Sequence, residues 1–192
     1  MKAQTITSAG TSINQMPAIM RLINKTHHDA AVFWATTDDV LDYGGGRFSQ
    51  MTDYLARIKV RNLIYDPFNQ GDDHNALVRQ LVETRPADVG ICSNVLNVIR
   101  EPARRLEVLE NLKKWVNPEG GMIYITVYEG DKTSKGRRTS KGWQSNRPDK
   151  NYMREIKRVF PNCFGCRWGG KALVVIENWP QKLFGWPRIR GD

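Results

Sequence analysis

The sequence lacks the features of membrane proteins, secreted disulfide proteins and metal-binding domains. Its longest apolar runs, residues 122–128 and 172–176, are far shorter than the roughly 20 residues that cross a bilayer. No apolar stretch in the first 15 residues resembles a secretory signal. The three cysteines, Cys92, Cys163 and Cys166, are too few for a disulfide framework, and a single C-x-x-C pair is a weak zinc signal. We therefore expect a cytoplasmic protein with no membrane contact and no metal site.

The charge of the chain is concentrated in one region. The 192 residues are 40% hydrophobic and 26% charged, which is ordinary for one globular domain, but the net charge is +9. Residues 1–131 hold 14 Lys and Arg against 16 Asp and Glu, whereas residues 132–158 hold 10 against 2. Such a local excess of positive charge indicates a polyanionic partner, and nucleic acid is the first candidate.

Short apolar strands alternate with helical segments from about residue 31 onwards, which is typical of an α/β domain with a mostly parallel sheet. We predict an N-terminal helical cap (residues 1–30), the α/β domain (31–178) and a basic, aromatic tail (179–192). Residues 131–150 have no periodicity and are predicted to form a long basic loop. Helices are predicted at residues 16–24, 48–57, 73–83, 101–116 and 152–160, and strands at 40–42, 62–65, 89–93, 122–128 and 172–176.

Two motifs at predicted strand ends indicate a nucleoside cofactor. The first strand runs into LDYGGG, where glycines allow close backbone approach to a ligand, and the second ends at Asp66, placed to accept hydrogen bonds from ribose hydroxyls. A dinucleotide fingerprint would have glycine where Ser49 stands. The carboxylate of Asp42 would also repel a pyrophosphate, whereas it would attract a ligand with an amino group.

These residues resemble class I S-adenosylmethionine-dependent methyltransferases, over about residues 40–128. The matching segments are LDYGGGRF, YDPF, and the run from ADVGICSNVLNVI to GGMIYITVYEG. The resemblance implies a three-layer, Rossmann-like α/β fold with S-adenosylmethionine as cofactor. Only 22 residues separate Asp66 from Asp88, so the third strand is expected to be short or missing. The implied cofactor-binding residues are Asp42, Tyr43, Gly44, Gly45, Gly46, Asp66, Pro67, Ser93 and Asn94.

The missing strand leaves the adenine-binding residue open among Asp72, Asp73 and His74. Uncharacterised phage-encoded members of the family have segments similar to TSINQ (residues 11–15) and TSKGWQ (139–144), which makes a phage origin an expectation. Asn94, Tyr128 and Glu129 are candidate catalytic residues because they follow strands that end at the expected site.

The basic loop would lie over this site, and it makes a nucleic acid the expected substrate. Its candidate contacts to phosphates and bases are Arg137, Arg138, Lys141, Trp143 and Arg147. SNVL, residues 93–96, lacks the prolines and aromatic of DNA amino-methylating members, so a small-molecule methyltransferase is the alternative. A catalytically silent nucleic-acid-binding module is a third hypothesis. A nicotinamide oxidoreductase is disfavoured by Ser49 and Asp42.

Overall fold

The computed structural model describes residues 18–26, 30–139, 142–168 and 171–177. The strands are β1 (Asp39–Tyr43), β2 (Arg61–Tyr65), β3 (Val89–Ser93), β4 (Met122–Val127), β5 (Arg137–Thr139), β6 (Gly142–Gln144), β7 (Phe164–Trp168) and β8 (Lys171–Glu177). Six of these strands form one sheet in the order β2-β1-β3-β4-β8-β7, and β5 pairs with β6 in a separate hairpin. Strands β1 to β4 are parallel, while β8 runs antiparallel to β4, and β7 antiparallel to β8.

Helices cover both faces of the sheet, which gives three layers. The α-helices are α1 (Ala18–Thr26), α2 (Ala30–Ala35), α3 (Gln50–Arg57), α4 (Asp72–Thr84), α5 (Pro102–Trp115) and α6 (Asp149–Val159), with a single 3-10 turn at Leu96–Val98. Apolar residues of α1, α2 and α3 pack against one face, and those of α4, α5 and α6 pack against the other. The mostly parallel α/β class predicted from the sequence is confirmed.

Alternation along the strands decides which side chains reach each layer. In β1, Leu41 and Tyr43 belong to the core beneath α4, α5 and α6, whereas Val40 belongs to the core beneath α1 and α3. Asp42, two residues after Val40, therefore lies on the α1 and α3 face of the sheet. A buried carboxylate is a costly placement unless it is paired, as Asp39 of the same strand is with Arg61, or has a function.

The prediction that a strand is missing between Asp66 and Asp88 is confirmed. The chain passes from β2 through α4 directly into β3, which pairs on the opposite side of β1. Within the described part of the chain, β2 is the edge strand, and His74 Nε2 lies 2.9 Å from the Ile64 carbonyl oxygen at that edge. His74 thus donates to the exposed backbone of β2, which explains its position without an adenine ligand.

The structure differs from the sequence predictions in three places. Residues 131–150 are not an irregular loop, because they contain the β5–β6 hairpin and the first residues of α6. The segment around residue 31 begins with the short helix α2 rather than with a strand. Strand β7 was not predicted, since FGCRW has no clear alternation of apolar and polar residues. Each of these segments takes its structure from packing against distant elements rather than from local periodicity.

Candidate functional site

The candidate site lies where the order of the strands in the sheet reverses. After β1 the chain forms β2 on one side, and β3 then pairs on the other side of β1, so the loops after β1 and β3 meet at the carboxyl edge. Gly44 N donates to the Tyr65 carbonyl oxygen at 2.7 Å, and Asn94 N donates to the Thr126 carbonyl oxygen at 2.9 Å. The structure therefore brings the ends of β1, β2, β3 and β4 together, as the motifs predicted.

Glycine is required in the loop after β1 by conformation and by space. Gly44 and Gly46 have φ angles of 76° and 77°, in the left-handed region that other residues rarely adopt. A Cβ atom on Gly44 would overlap the Val95 side chain, and one on Gly45 would overlap the Asp42 carboxylate. The loop thus packs directly against the segment after β3 and against the Asp42 side chain.

Asp42 is a buried carboxylate with no partner among the described residues. Its side chain accepts no hydrogen bond and forms no ion pair there. Burial, and then the nearby Asp66 carboxylate, raise the pKa of Asp42 to about 7. A carboxyl group in this state accepts a proton readily and would gain most from a cationic ligand.

Asp66 is buried as well, but its carboxylate is fully engaged. Oδ2 accepts from Gly46 N at 2.9 Å and from Asn69 Nδ2 at 3.0 Å. Oδ1 accepts from Phe68 N at 2.9 Å and from Asn69 N at 3.0 Å. A carboxylate offers about four acceptor positions, so ribose hydroxyls would have to replace one of these donors. The Asn69 side chain is the donor that can leave without unfolding the backbone.

Asn75, which the sequence analysis missed, fixes the backbone of Asp66. This buried side chain accepts from Asp66 N at 2.9 Å and donates to the Asp66 carbonyl oxygen at 3.0 Å. Its Nδ2 also donates to the Gln70 carbonyl oxygen at 3.2 Å, while Gln70 Nε2 donates to the Gly46 carbonyl oxygen at 2.7 Å. These bonds tie α4 to both loops of the site. An asparagine in the first turn of a helix gives no sequence signal for such a role.

The ends of β3 and β4 supply further polar groups to the same edge. Ser93 Oγ lies 3.0 Å from Thr126 Oγ1, which forms a hydroxyl pair. Asn94 has a φ angle of 60°, and its buried Oδ1 has no hydrogen-bond partner within the described ranges. Backbone in the left-handed region and an unsatisfied buried acceptor both occur more often at functional sites than elsewhere.

Tyr128 and Glu129, the other candidate catalytic residues, follow β4 but differ in their surroundings. Tyr128 is 56% exposed, and its backbone is held by Asn97 Oδ1, which accepts from Tyr128 N at 3.3 Å. Glu129 is buried, with Oε1 accepting from Asp149 N at 2.8 Å and Oε2 lying 3.5 Å from Lys132 Nζ. Glu129 therefore fixes the start of α6, whereas Tyr128 is open to a substrate.

Three residues predicted for the site have side chains committed elsewhere. The ring of Tyr43 stacks on Trp115 at 5.9 Å between centroids in the core, so only its backbone can line the site. Trp143 has the Arg100 guanidinium 5.0 Å from its ring centroid, and Nε1 donates to Ser145 Oγ at 3.2 Å. Arg147 forms an ion pair with Glu155 at 2.8 Å. Trp143 and Arg147 thus make internal contacts in the structure, and the base and phosphate contacts predicted for them stay predictions.

The remaining predicted residues are exposed or lie outside the described ranges. Pro67 is exposed directly after Asp66, and Arg137 and Arg138 are exposed on β5. Asp72 and Asp73 are exposed at the start of α4. Lys141, the segment 11–15 and the C-terminal tail lie outside the part that the structure describes.

The segment between β4 and α6, which we call the basic lobe (residues 130–148), is held by two asparagines that the sequence analysis also missed. Asn97 Nδ2 donates to Gln144 Oε1 at 3.3 Å, and the Asn97 carbonyl oxygen accepts from Ser145 N at 2.9 Å. Asn146 is buried, and its carbonyl oxygen accepts from Ser134 N at 2.7 Å. The lobe is therefore attached to the turn after β3, beside the site.

Comparison with known proteins identifies the fold that carries this site. No family model and no curated protein matches the chain. An O-methyltransferase family protein from Burkholderia thailandensis superposes with a TM-score of 0.57 over 83% of this chain, at 14% identity, and the match spans 55% of that protein. The chain has the class I methyltransferase fold. The 1,6-didemethyltoxoflavin N1-methyltransferase of the same organism, solved with 1,6-didemethyltoxoflavin and S-adenosylhomocysteine, gives a TM-score of 0.54, 12% identity, and coverage of 83% of this chain and 81% of its own.

Within the described part of this methyltransferase fold, no helix is long and apolar enough to cross a membrane. No group of three or more His, Cys, Asp and Glu residues in the same ranges is placed to hold a metal ion.

Proposed function

We propose that the chain binds S-adenosylmethionine at this edge and catalyses methyl transfer. The observation that carries the proposal is the pair of unpartnered buried acceptors, the Asp42 carboxylate and Asn94 Oδ1, on either side of the switch in strand order. Both groups lack a hydrogen-bond donor, and the ammonium group of the methionine moiety is a donor with positive charge. The residues present fit the cofactor at this end.

The other parts of the site fit the cofactor as well. The glycine loop has Gly44 and Gly46 in a backbone conformation that glycine adopts readily, and residues without side chains leave the backbone uncovered for a ligand. Asp66 would accept from the ribose hydroxyls once the Asn69 amide moves away from Oδ2, and Pro67 follows Asp66 at the surface. Ser93 and Asn94 would line the site beside the sulfonium.

The bound cofactor supplies a methyl group already activated on sulfonium, so the chain has mainly to align the acceptor and exclude water. We assign acceptor positioning to Asn94 and to Tyr128, whose exposed ring follows β4 at the same edge. Glu129 is assigned to holding the lobe and α6 in place through Asp149 and Lys132. Because its carboxylate is buried and bonded, we do not assign proton removal to it.

For the acceptor we propose a nucleic acid or a component bound with it. Arg137 and Arg138 support this, because they are exposed on a hairpin that is fixed beside the site through Asn97 and Gln144. A small-molecule acceptor is the alternative, and it is favoured by the internal commitment of Trp143 and Arg147. The two readings differ in one result: removing the charges of Arg137 and Arg138 lowers methyl transfer only if the acceptor is a polyanion.

The test of the proposed function is a calorimetric titration with S-adenosylhomocysteine. We expect micromolar binding by the unsubstituted chain and weaker binding by Asp42→Asn and by Asp66→Asn. Glu110→Gln, which removes an exposed carboxylate on α5, is the matched control and should bind normally. Absence of binding by the folded, unsubstituted chain would contradict the proposal and favour a silent binding module. Binding would justify measuring transfer of labelled methyl groups to DNA, RNA and small acceptors.

A further inference from the structure

The exposed face of α6 carries only positive charge. Lys150, Arg154, Lys157 and Arg158 are all exposed, at relative positions 0, 4, 7 and 8 of the helix. Residues at these spacings lie on one side of an α-helix. We call these four residues the α6 basic face. The phosphate contacts predicted from the sequence, at Arg137, Arg138, Lys141 and Arg147, all precede this helix.

Glu155, the acidic residue in the middle of α6, does not balance this charge. Glu155 turns toward the protein, where it pairs with Arg105 at 2.8 Å and with Arg147 at 2.8 Å. Burial opposes ionisation of Glu155, but hydrogen bonds from these two arginines outweigh it and hold its pKa below the usual value. Asp149 lies at the first residue, where its backbone N–H donates to Glu129. Within the described ranges, the α6 basic face forms no ion pair.

Helix α5 differs from α6 in the pairing of its cations. On α5, Arg104 pairs with Glu107 at 2.6 Å, and Lys114 pairs with Glu83 of α4 at 2.6 Å, while the exposed Lys113 has no ion pair within the described ranges. Two of the three exposed cations on α5 are thus matched by neighbouring carboxylates, as on an ordinary solvated face. None of the four exposed cations on α6 has such a match in the described chain.

The apolar face of α6 excludes insertion of the helix into a membrane surface. Tyr152, Ile156 and Val159 are buried in the core between α6 and the sheet. The exposed large apolar residues of the described chain lie on other elements, so α6 has no free apolar face to embed in lipid. The attraction of α6 for a negatively charged partner is therefore electrostatic. Proteins bind phosphate backbones in this way when they do not recognise the base sequence.

The position of α6 connects this face to the candidate site. Its first residue is bonded to Glu129, directly after β4, so the helix begins at the carboxyl edge where the site lies. Exposed cations of the basic lobe, Lys135, Arg137 and Arg138, precede it at the same edge. From Lys150 to Arg158 the helix rises about 12 Å, which matches three to four nucleotides of one strand at about 3.4 Å each.

We propose that the α6 basic face is a docking surface for the phosphodiester backbone of a nucleic acid, which it holds beside the site. The proposal rests on one part of the proposed function, namely that the methyl acceptor is a nucleic acid. It does not rest on cofactor binding, because the contact requires only the four cations and a polyanion. Loss of the cofactor site would therefore leave it intact.

The test is the salt dependence of binding to a fluorescent DNA duplex and to an RNA of the same length, with no methyl donor present. We compare two variants of equal charge change. The α6 variant carries Lys150→Gln, Arg154→Gln, Lys157→Gln and Arg158→Gln. The control variant carries Arg57→Gln, Lys59→Gln, Arg79→Gln and Lys113→Gln. Glutamine forms helices well, so both variants should fold, which circular dichroism checks. Vesicles containing phosphatidylserine form a third arm.

We expect the α6 variant to bind both nucleic acids at least tenfold more weakly at about 50 mM salt, with the slope of log affinity against log salt reduced by about three to four for the DNA duplex. The control should keep the slope of the unsubstituted chain. Equal losses in the two variants would overturn the proposal, because net charge alone would then explain binding. Stronger binding to vesicles than to nucleic acid, or no nucleic-acid binding at low salt, would overturn it as well. If S-adenosylhomocysteine still binds in that last case, the docking surface and the nucleic-acid acceptor fail, and the cofactor site stands.

Discussion

The two sides of the carboxyl edge of the sheet are built in opposite ways. Around β1 and β2, two buried carboxylates lie close together, and one of them, Asp42, has no partner in the described chain. Across β4, Gln144 of the basic lobe bonds to Asn97, Arg147 pairs with Glu155 of α6, and Arg137, Arg138 and the α6 basic face are exposed. A site that needs a small cationic ligand thus lies beside a surface suited to a polyanion. The following predictions test whether the two sides act independently.

The largest effect should come from Asp42 in the absence of ligand. Because its pKa rises from 3.8 in the unfolded chain to about 7, the folded state retains the proton between about pH 4 and 7. The contribution of Asp42 to stability is therefore present below pH 4 and is lost as pH rises to 7, by up to roughly 4 kcal/mol. Asp42→Asn should gain stability relative to the unsubstituted chain over this window, measured by urea unfolding at several pH values. A constant difference between the two chains would show that Asp42 is not buried as described.

Gly44→Ala should weaken cofactor binding without changing nucleic-acid binding. The substitution forces a Cβ into the Val95 side chain at a φ angle of 76°, a strain of about 1 to 2 kcal/mol before any clash. We expect at least a tenfold loss of S-adenosylhomocysteine affinity, with nucleic-acid binding unchanged. Adding Val95→Ala should recover part of the loss. Equal damage to both binding activities would show that the two sides are coupled.

Asn97→Ala should damage the lobe side alone. Its side chain bonds Gln144 and the Tyr128 backbone, so its removal should cost about 1 to 2 kcal/mol and loosen the lobe. Limited proteolysis should show faster cleavage within residues 130–148, while S-adenosylhomocysteine affinity stays within twofold. Asn111→Ala, which removes a bond to Tyr43 in the core, is the control and should not change cleavage there. A large loss of affinity in Asn97→Ala would contradict the separation.

The smallest effect concerns Asn69, which occupies an acceptor position on Asp66. If ribose hydroxyls replace its amide, Asn69→Ala should bind S-adenosylhomocysteine a few-fold more tightly, since a competing hydrogen bond of about 1 kcal/mol is removed. Isothermal calorimetry on the two chains measures this difference. Weaker binding by the variant would mean that the Asn69 amide contacts the ligand.

Much of the fold was predictable because the strands are short apolar runs between turn residues. The 22-residue gap between Asp66 and Asp88 was enough to predict the missing strand. The hairpin was missed because RRT and GWQ pair across a polar, exposed surface with no apolar alternation. Its stability comes from contacts such as Asn97 with Gln144, 47 residues apart, which no local pattern reveals.

The candidate site was predictable in its backbone more than in its side chains. Motif spacing located the glycine loop, Asp66 and the Ser93–Asn94 turn. It did not show that Tyr43 points into the core, or that Glu155 engages Arg147. Which side of a strand or helix a residue occupies depends on packing across the whole sheet. The unpartnered state of Asp42 and Asn94, on which the functional proposal depends, was likewise visible only in three dimensions.

The pH dependence of S-adenosylhomocysteine binding tests the central claim most directly, namely that Asp42 holds the amino group of the cofactor. With a pKa of about 7, Asp42 is mostly protonated at pH 6 and mostly ionised at pH 8. Affinity should therefore rise about tenfold over this interval in the unsubstituted chain and stay flat in Asp42→Asn. An affinity that is the same at both pH values, or one that rises equally in the variant, would contradict the account.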